Sequence, residues 1–224
     1  MGKVSDICKR VAKTAASYIP GVGPIVSEVI DYGFSKFENK KLEAFMQKVE
    51  KSLDSLSCEI ENLKNNEFGY FYFLKATKRF IEDSEQEKKD LFAECVKNGY
   101  VSDIAAAKKL LFLNKLSEYP VQLLKLLYHL NQNNFIDEST ANRKICCGTI
   151  TVENAICERL PEYKENKELL RYFINTLQTD QMIYIFGTHD PISYEKAFGK
   201  WTSNIGEEFI KFIRGERLWK FIIS

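Results

Sequence analysis

Apolar positions along this chain recur at helical spacing. The longest such run is Leu42, Met46, Val49, Leu53, Leu56, Ile60 and Leu63. Its intervals alternate 4, 3, 4, 3, 4, 3, which sets every one of these side chains on a single narrow stripe of a helix. Glu43, Gln47, Lys48, Glu50, Lys51, Asp54, Glu59 and Glu61 lie between them and form a solvated face. A strand repeats every two residues and cannot generate this pattern. The stripe therefore predicts a long helix that packs along its length against another helix.

The same logic extends in both directions. Residues 3–18 read as an amphipathic helix with Val4, Ile7, Cys8, Val11, Ala15 and Tyr18 on one face. It stops at Ile19-Pro20-Gly21-Val22-Gly23-Pro24, a firm break, and Pro24 suits the first turn of the next helix. That next helix carries Ile25, Val26, Val29, Ile30, Phe34 and Phe37 and leads into the long one, with Gly33 as a bend and Asn65-Asn66 as its end. Residues 67–82 predict an aromatic-rich buried helix. Ser84 and Glu87 have the spacing of a capping box for the helix that buries Leu91, Phe92, Cys95 and Val96, and Asn98-Gly99 reads as its stop. Helices over 102–116 and 120–131 complete a bundle.

Beyond Asn131-Gln132-Asn133-Asn134 the pattern changes. Residues 135–150 are mixed, and helices follow over 151–159 and 163–178. Gln181 to Gly187 is a β-branched and aromatic run that reads as a strand, Thr188 to Ser193 as a loop, and Ala197 to Trp201 as a returning strand. Thr202 precedes a last helix with Ile205, Phe209, Ile210, Phe212 and Ile213, and an apolar tail runs from Leu218 to Ile223. Helix, helix, hairpin, helix is a winged-helix-like order. The expected architecture is mainly α: a helical bundle with a long central helix over residues 1–132, then a small winged-helix-like α+β part over 133–224.

Composition narrows the function classes. A chain of 224 residues, 45% of them hydrophobic, can bury a sizeable core. Thirty-two Lys and Arg against 31 Asp and Glu leave a formal net charge of +1, without the basic excess that phosphate-backbone binding usually demands. The six cysteines, Cys8, Cys58, Cys95, Cys146, Cys147 and Cys157, form no CxxC pair, and His129 and His189 stand at no metal-ligand spacing from them. They read as free thiols in a reducing cytosol. No apolar run approaches the roughly 20 residues that span a bilayer. Charges at Lys3, Asp6, Lys9, Arg10 and Lys13 interrupt any leader-like stretch. A cytoplasmic location is expected, with peripheral attachment to a membrane as the alternative.

The ending Trp201-Thr202-Ser203-Asn204-Ile205-Gly206-Glu207-Glu208-Phe209-Ile210 to Phe212-Ile213 resembles the close of a winged-helix unit. Together with Glu87 to Asn98 and the leucine-rich helix at 121–130, it makes the chain similar to bacterial helical proteins of the abortive-infection alpha type. That resemblance implies an association with phage defence or mobile elements. It carries over no catalytic residue.

Catalytic chemistry finds little to use. His189-Asp190 is the one His-Asp neighbour pair, but it lies beside Pro191 in a loop and reads as a turn-forming Asp with an exposed His. His129, beside Tyr128 in a leucine-rich helix, reads as a structural histidine. Glu82, Asp83, Glu85 and Glu87 frame a helix start, where carboxylates favour the positive end of the dipole. Gly21-Val22-Gly23-Pro24 lacks the Gly-Lys-Ser/Thr and the preceding strand of a phosphate loop. No catalytic residue, cofactor or metal ligand is assigned, and an enzyme is not expected.

Binding functions remain. The expected role is a non-enzymatic interaction or regulatory protein that meets a protein partner, or itself, through the stripe from Leu42 to Leu63. One alternative is a membrane-acting effector that uses the amphipathic, Gly/Pro-interrupted segment 3–37. A further one is a winged-helix nucleic-acid-binding regulator, which would rely on Lys164, Lys167 and Arg171. Glu162, Glu165 and Glu168 on the same helix, and a wing loop without Lys or Arg, make nucleic acid the weaker partner.

Overall fold

A computed structural model describes Lys41, Ala44, Phe45, Lys48 and Val49, then residues 67–132, 151–184, 187–190 and 199–214. The described residues are mainly helical, with no strand longer than a single bridge. They gather into two compact units, one reaching Pro120 and including Phe212 onward, the other Val121–Lys211.

In the first unit α1 spans Glu67–Glu82, α2 Lys88–Val101 and α3 Ala106–Glu118. The spacing of Tyr72, Phe73, Ala76, Phe80 and Ile81 puts them on the buried face of α1. Leu91, Phe92, Cys95 and Val96 answer from α2, and Phe112, Leu113 and Leu116 from α3. Lys41, Ala44, Phe45, Lys48 and Val49 are helical. Phe45 is fully buried, its ring centroid 4.3 Å from that of Phe80 and 6.3 Å from that of Phe73. Phe80 in turn meets Phe92 edge-on at 6.3 Å. These rings supply much of the unit's cohesion, because a fully buried Phe contributes about 1.5–3 kcal/mol in transfer free energy alone.

Two local expectations change here. The capping box of Ser84 and Glu87 does not form, and Glu87 makes no side-chain cap. Asp83 instead closes the turn before α2, accepting from the Glu85 amide at 2.8 Å while its other oxygen holds the Lys88 ammonium at 2.6 Å. Nor does Asn98-Gly99 stop α2, which runs on to Val101. Gly99 is there for packing: a Cβ would overlap the buried ring of Tyr72. Its carbonyl accepts from Lys109 Nζ at 2.8 Å, and the Asn98 carbonyl from the Ser102 hydroxyl at 2.6 Å, so the helix end is satisfied from α3 and from its own cap.

In the second unit α4 spans Val121–Leu130, α5 Val152–Arg159, α6 Lys167–Thr179 and α7 Asn204–Ile213, whose last two residues count with the first unit. Thr151, Asn166 and Ser203 cap α5, α6 and α7 through side-chain oxygens. The expected helix from 163 begins only at Lys167, because Pro161–Tyr163 makes a 3₁₀ turn and Asn166 restarts the chain.

The winged-helix-like hairpin is not found among the described residues. The described residues there hold one antiparallel bridge, Ile183 with Thr202. The close of α6 falls where the first expected strand begins. Gln181 adopts a left-handed backbone with φ of 58°, and its amide bonds the Gln178 carbonyl at 2.9 Å while the Met182 amide bonds the Leu177 carbonyl at 2.8 Å. This is a Schellman close, with Leu177 and Met182 both fully buried as its apolar contact. It consumes the first two residues of the expected strand. At the returning side, the Trp201 carbonyl accepts from the Tyr184 amide at 3.0 Å beside that bridge, while the Trp201 amide goes to the Leu130 carbonyl at 2.9 Å. Residues 185, 186 and 191–198 lie outside the described residues.

Candidate functional site

Glu153 is the most distinctive charged group in the second unit. It sits in the first turn of α5, only 4% of its side chain exposed, where a carboxylate complements the helix dipole. Arg171 Nε donates to one of its oxygens at 2.6 Å and Lys167 Nζ lies 3.0 Å from the other. Lys167 and Arg171 are four residues apart on α6, so one helical turn delivers both cations to one carboxylate. The Arg171 hydrogen bond, aided by Lys167 and opposed by burial, holds the Glu153 carboxyl below the usual range. The α5 N-terminus is closed as well, since the Val152 and Glu153 amides donate to the carbonyls of Asp190 and Thr188 at 3.2 and 3.0 Å. The result is a saturated joint between two helices.

A second buried charge, Lys88, is held in the same manner in the first unit. Its ammonium lies 2.6 Å from Asp83 and 3.3 Å from Glu85 and donates to the Ser117 carbonyl at 3.1 Å. The carboxylate cluster at residues 82–87 thus anchors a lysine in addition to framing the start of α2. Among the described residues no three His, Cys, Asp or Glu side chains are placed to hold a metal ion.

The histidines take up separate positions. His189 is exposed, while Asp190 accepts from the Gly187 amide at 2.7 Å and closes a turn. His129 is half-buried on α4; burial, then the nearby Arg159, lower its pKa against the opposing pull of Glu162, which favours the neutral ring. The Tyr163 hydroxyl donates to the Gln122 carbonyl at 3.2 Å, and burial drives its pKa upward. Burial likewise pushes the Cys95 thiol up to about 12, against its hydrogen bond with the Tyr72 hydroxyl, and raises that of Cys157. Neither thiol is equipped as a nucleophile, which requires the thiolate.

An open cavity of about 520 Å³ lies in the second unit, between the Schellman close of α6 and the start of α7. Gln178, Gln181, Ile183, Tyr184, Ser203, Asn204 and Ile205 line it. The Ser203 hydroxyl is engaged at both ends, donating to the Gln181 carbonyl and accepting from the Gly206 amide.

Of the stripe proposed for partner binding, Val49 is described and is 2% exposed, in the core of the first unit. Leu42, Met46, Leu53, Leu56, Ile60 and Leu63 lie outside the described residues. So does the segment 3–37. Of the cations considered for nucleic acid, Lys164 is exposed, whereas Lys167 and Arg171 both engage Glu153. Sequence reasoning missed Phe45, Glu153 and Lys88. The i, i+4 pair Lys167 and Arg171 was a signal for the second, but its partner is supplied by another helix. Large outward rings complete the picture: Phe71 on α1 is 51% exposed and Tyr172 on α6 64%.

Among the described residues no helix is long and apolar enough to cross a membrane. Comparison with protein families, with curated proteins and with solved structures found no match.

Proposed function

We propose that this protein is a non-enzymatic interaction or regulatory protein that docks a protein partner, or a second copy of itself, through its helices. The observation that supports this reading is the use made of buried charge. Glu153 is saturated by Lys167 and Arg171, and Lys88 by Asp83, Glu85 and a carbonyl. Each cluster ties one element to another, so these charges serve the packing of helices. The rings of Phe71 and Tyr172 give the helices outward apolar surface of the kind protein interfaces use. The setting we propose, on the sequence resemblance alone, is bacterial phage defence.

The test pairs two variants in light scattering and in affinity capture with the full-length protein as bait. Leu53→Ala with Leu56→Ala should weaken self-association or capture beyond its cost in stability. Tyr172→Ser, on a side chain mostly in solvent, should weaken capture while leaving the melting temperature within about 2 °C of wild type, as surface changes do. Unchanged association in both variants sinks the reading.

A further inference from the structure

We draw no further inference here: the strongest candidate, the open cavity beside the N-terminus of α7 in the second unit, combines a helix start with the exposed ring of Tyr184, and nothing in the structure shows what covers it.

Discussion

Gln181 holds a backbone conformation that L-residues other than Asn and Asp rarely adopt, and it does so because the close of α6 requires a left-handed residue at that point. Glycine meets the requirement without a Cβ penalty. Gln181→Gly should therefore stabilise the protein, by up to about 1 kcal/mol after the extra entropy of an unfolded glycine is subtracted. A higher urea midpoint at unchanged m-value is the expected readout. Gly206 carries the opposite requirement. A Cβ there would overlap the Met182 carbonyl, which already accepts from the Ser203 amide at 3.0 Å. Gly206→Ala should cost about 1–3 kcal/mol or more by overpacking, although alanine is the better helix former. A midpoint at or above wild type would mean that the approach of α7 to Met182 is not fixed as described.

At the scale of elements, ion pairs between helices decide the more consequential predictions. The Glu153 carboxyl titrates below its ordinary value in the folded protein, so its ionised form contributes stability above about pH 4.3, the unfolded value. That contribution is lost as pH falls through the lower, folded pKa. Glu153→Gln should destabilise the protein at pH 7 by about 1.5–3 kcal/mol. The lower end is expected, because Lys167 and Arg171 are each more than two-fifths exposed and remain solvated without their partner. The gap between variant and wild type should narrow only below about pH 4. An equal gap at neutral pH and well below the folded pKa would assign the effect to shape rather than charge.

Helices were also the part of the fold that the sequence made legible, for a physical reason. Residues 67–82 form a helix with the expected bounds because their aromatic spacing and their buried face coincide. The ends of elements were read less well. Ser84 and Glu87 have the spacing of a capping box, yet Asp83 wins the local amide and Lys88 besides. Gly99 has the character of a stop, yet serves the Tyr72 ring. Gln181 to Gly187 has β-forming composition, but the cap of α6 takes its first residues. Asp83 is a neighbour that displaces the expected pair, Tyr72 is distant from Gly99 in sequence, and the cap of α6 is defined by an atypical residue. Phe45 makes the same point inside the core: it lies beside the 4, 3 stripe, one residue before Met46, and is nonetheless fully buried against α1.

For the whole molecule, the sorting of contacts into two units predicts two unfolding events, and the chain carries a reporter in each. Cys95 is buried on α2 of the first unit and Cys157 on α5 of the second, both as free thiols. Desolvation disfavours the thiolate at both, so a thiol reagent should reach them only through opening of the surrounding structure. With Cys8, Cys58, Cys146 and Cys147 replaced by Ser, labelling of each remaining cysteine along a urea series measures an opening free energy and its denaturant slope. The first unit is knit by the ring cluster of Phe45, Phe73, Phe80 and Phe92, and the second carries buried leucines at Leu123, Leu126, Leu130, Leu170 and Leu177, so apolar side chains are buried in both. The two thiols should therefore differ in midpoint, and each slope should fall below that for unfolding the whole chain, because the slope scales with the surface exposed. Glu153→Gln should then shift the Cys157 curve and leave that of Cys95 in place. Coincident curves with a single full-length slope would make the protein one cooperative body.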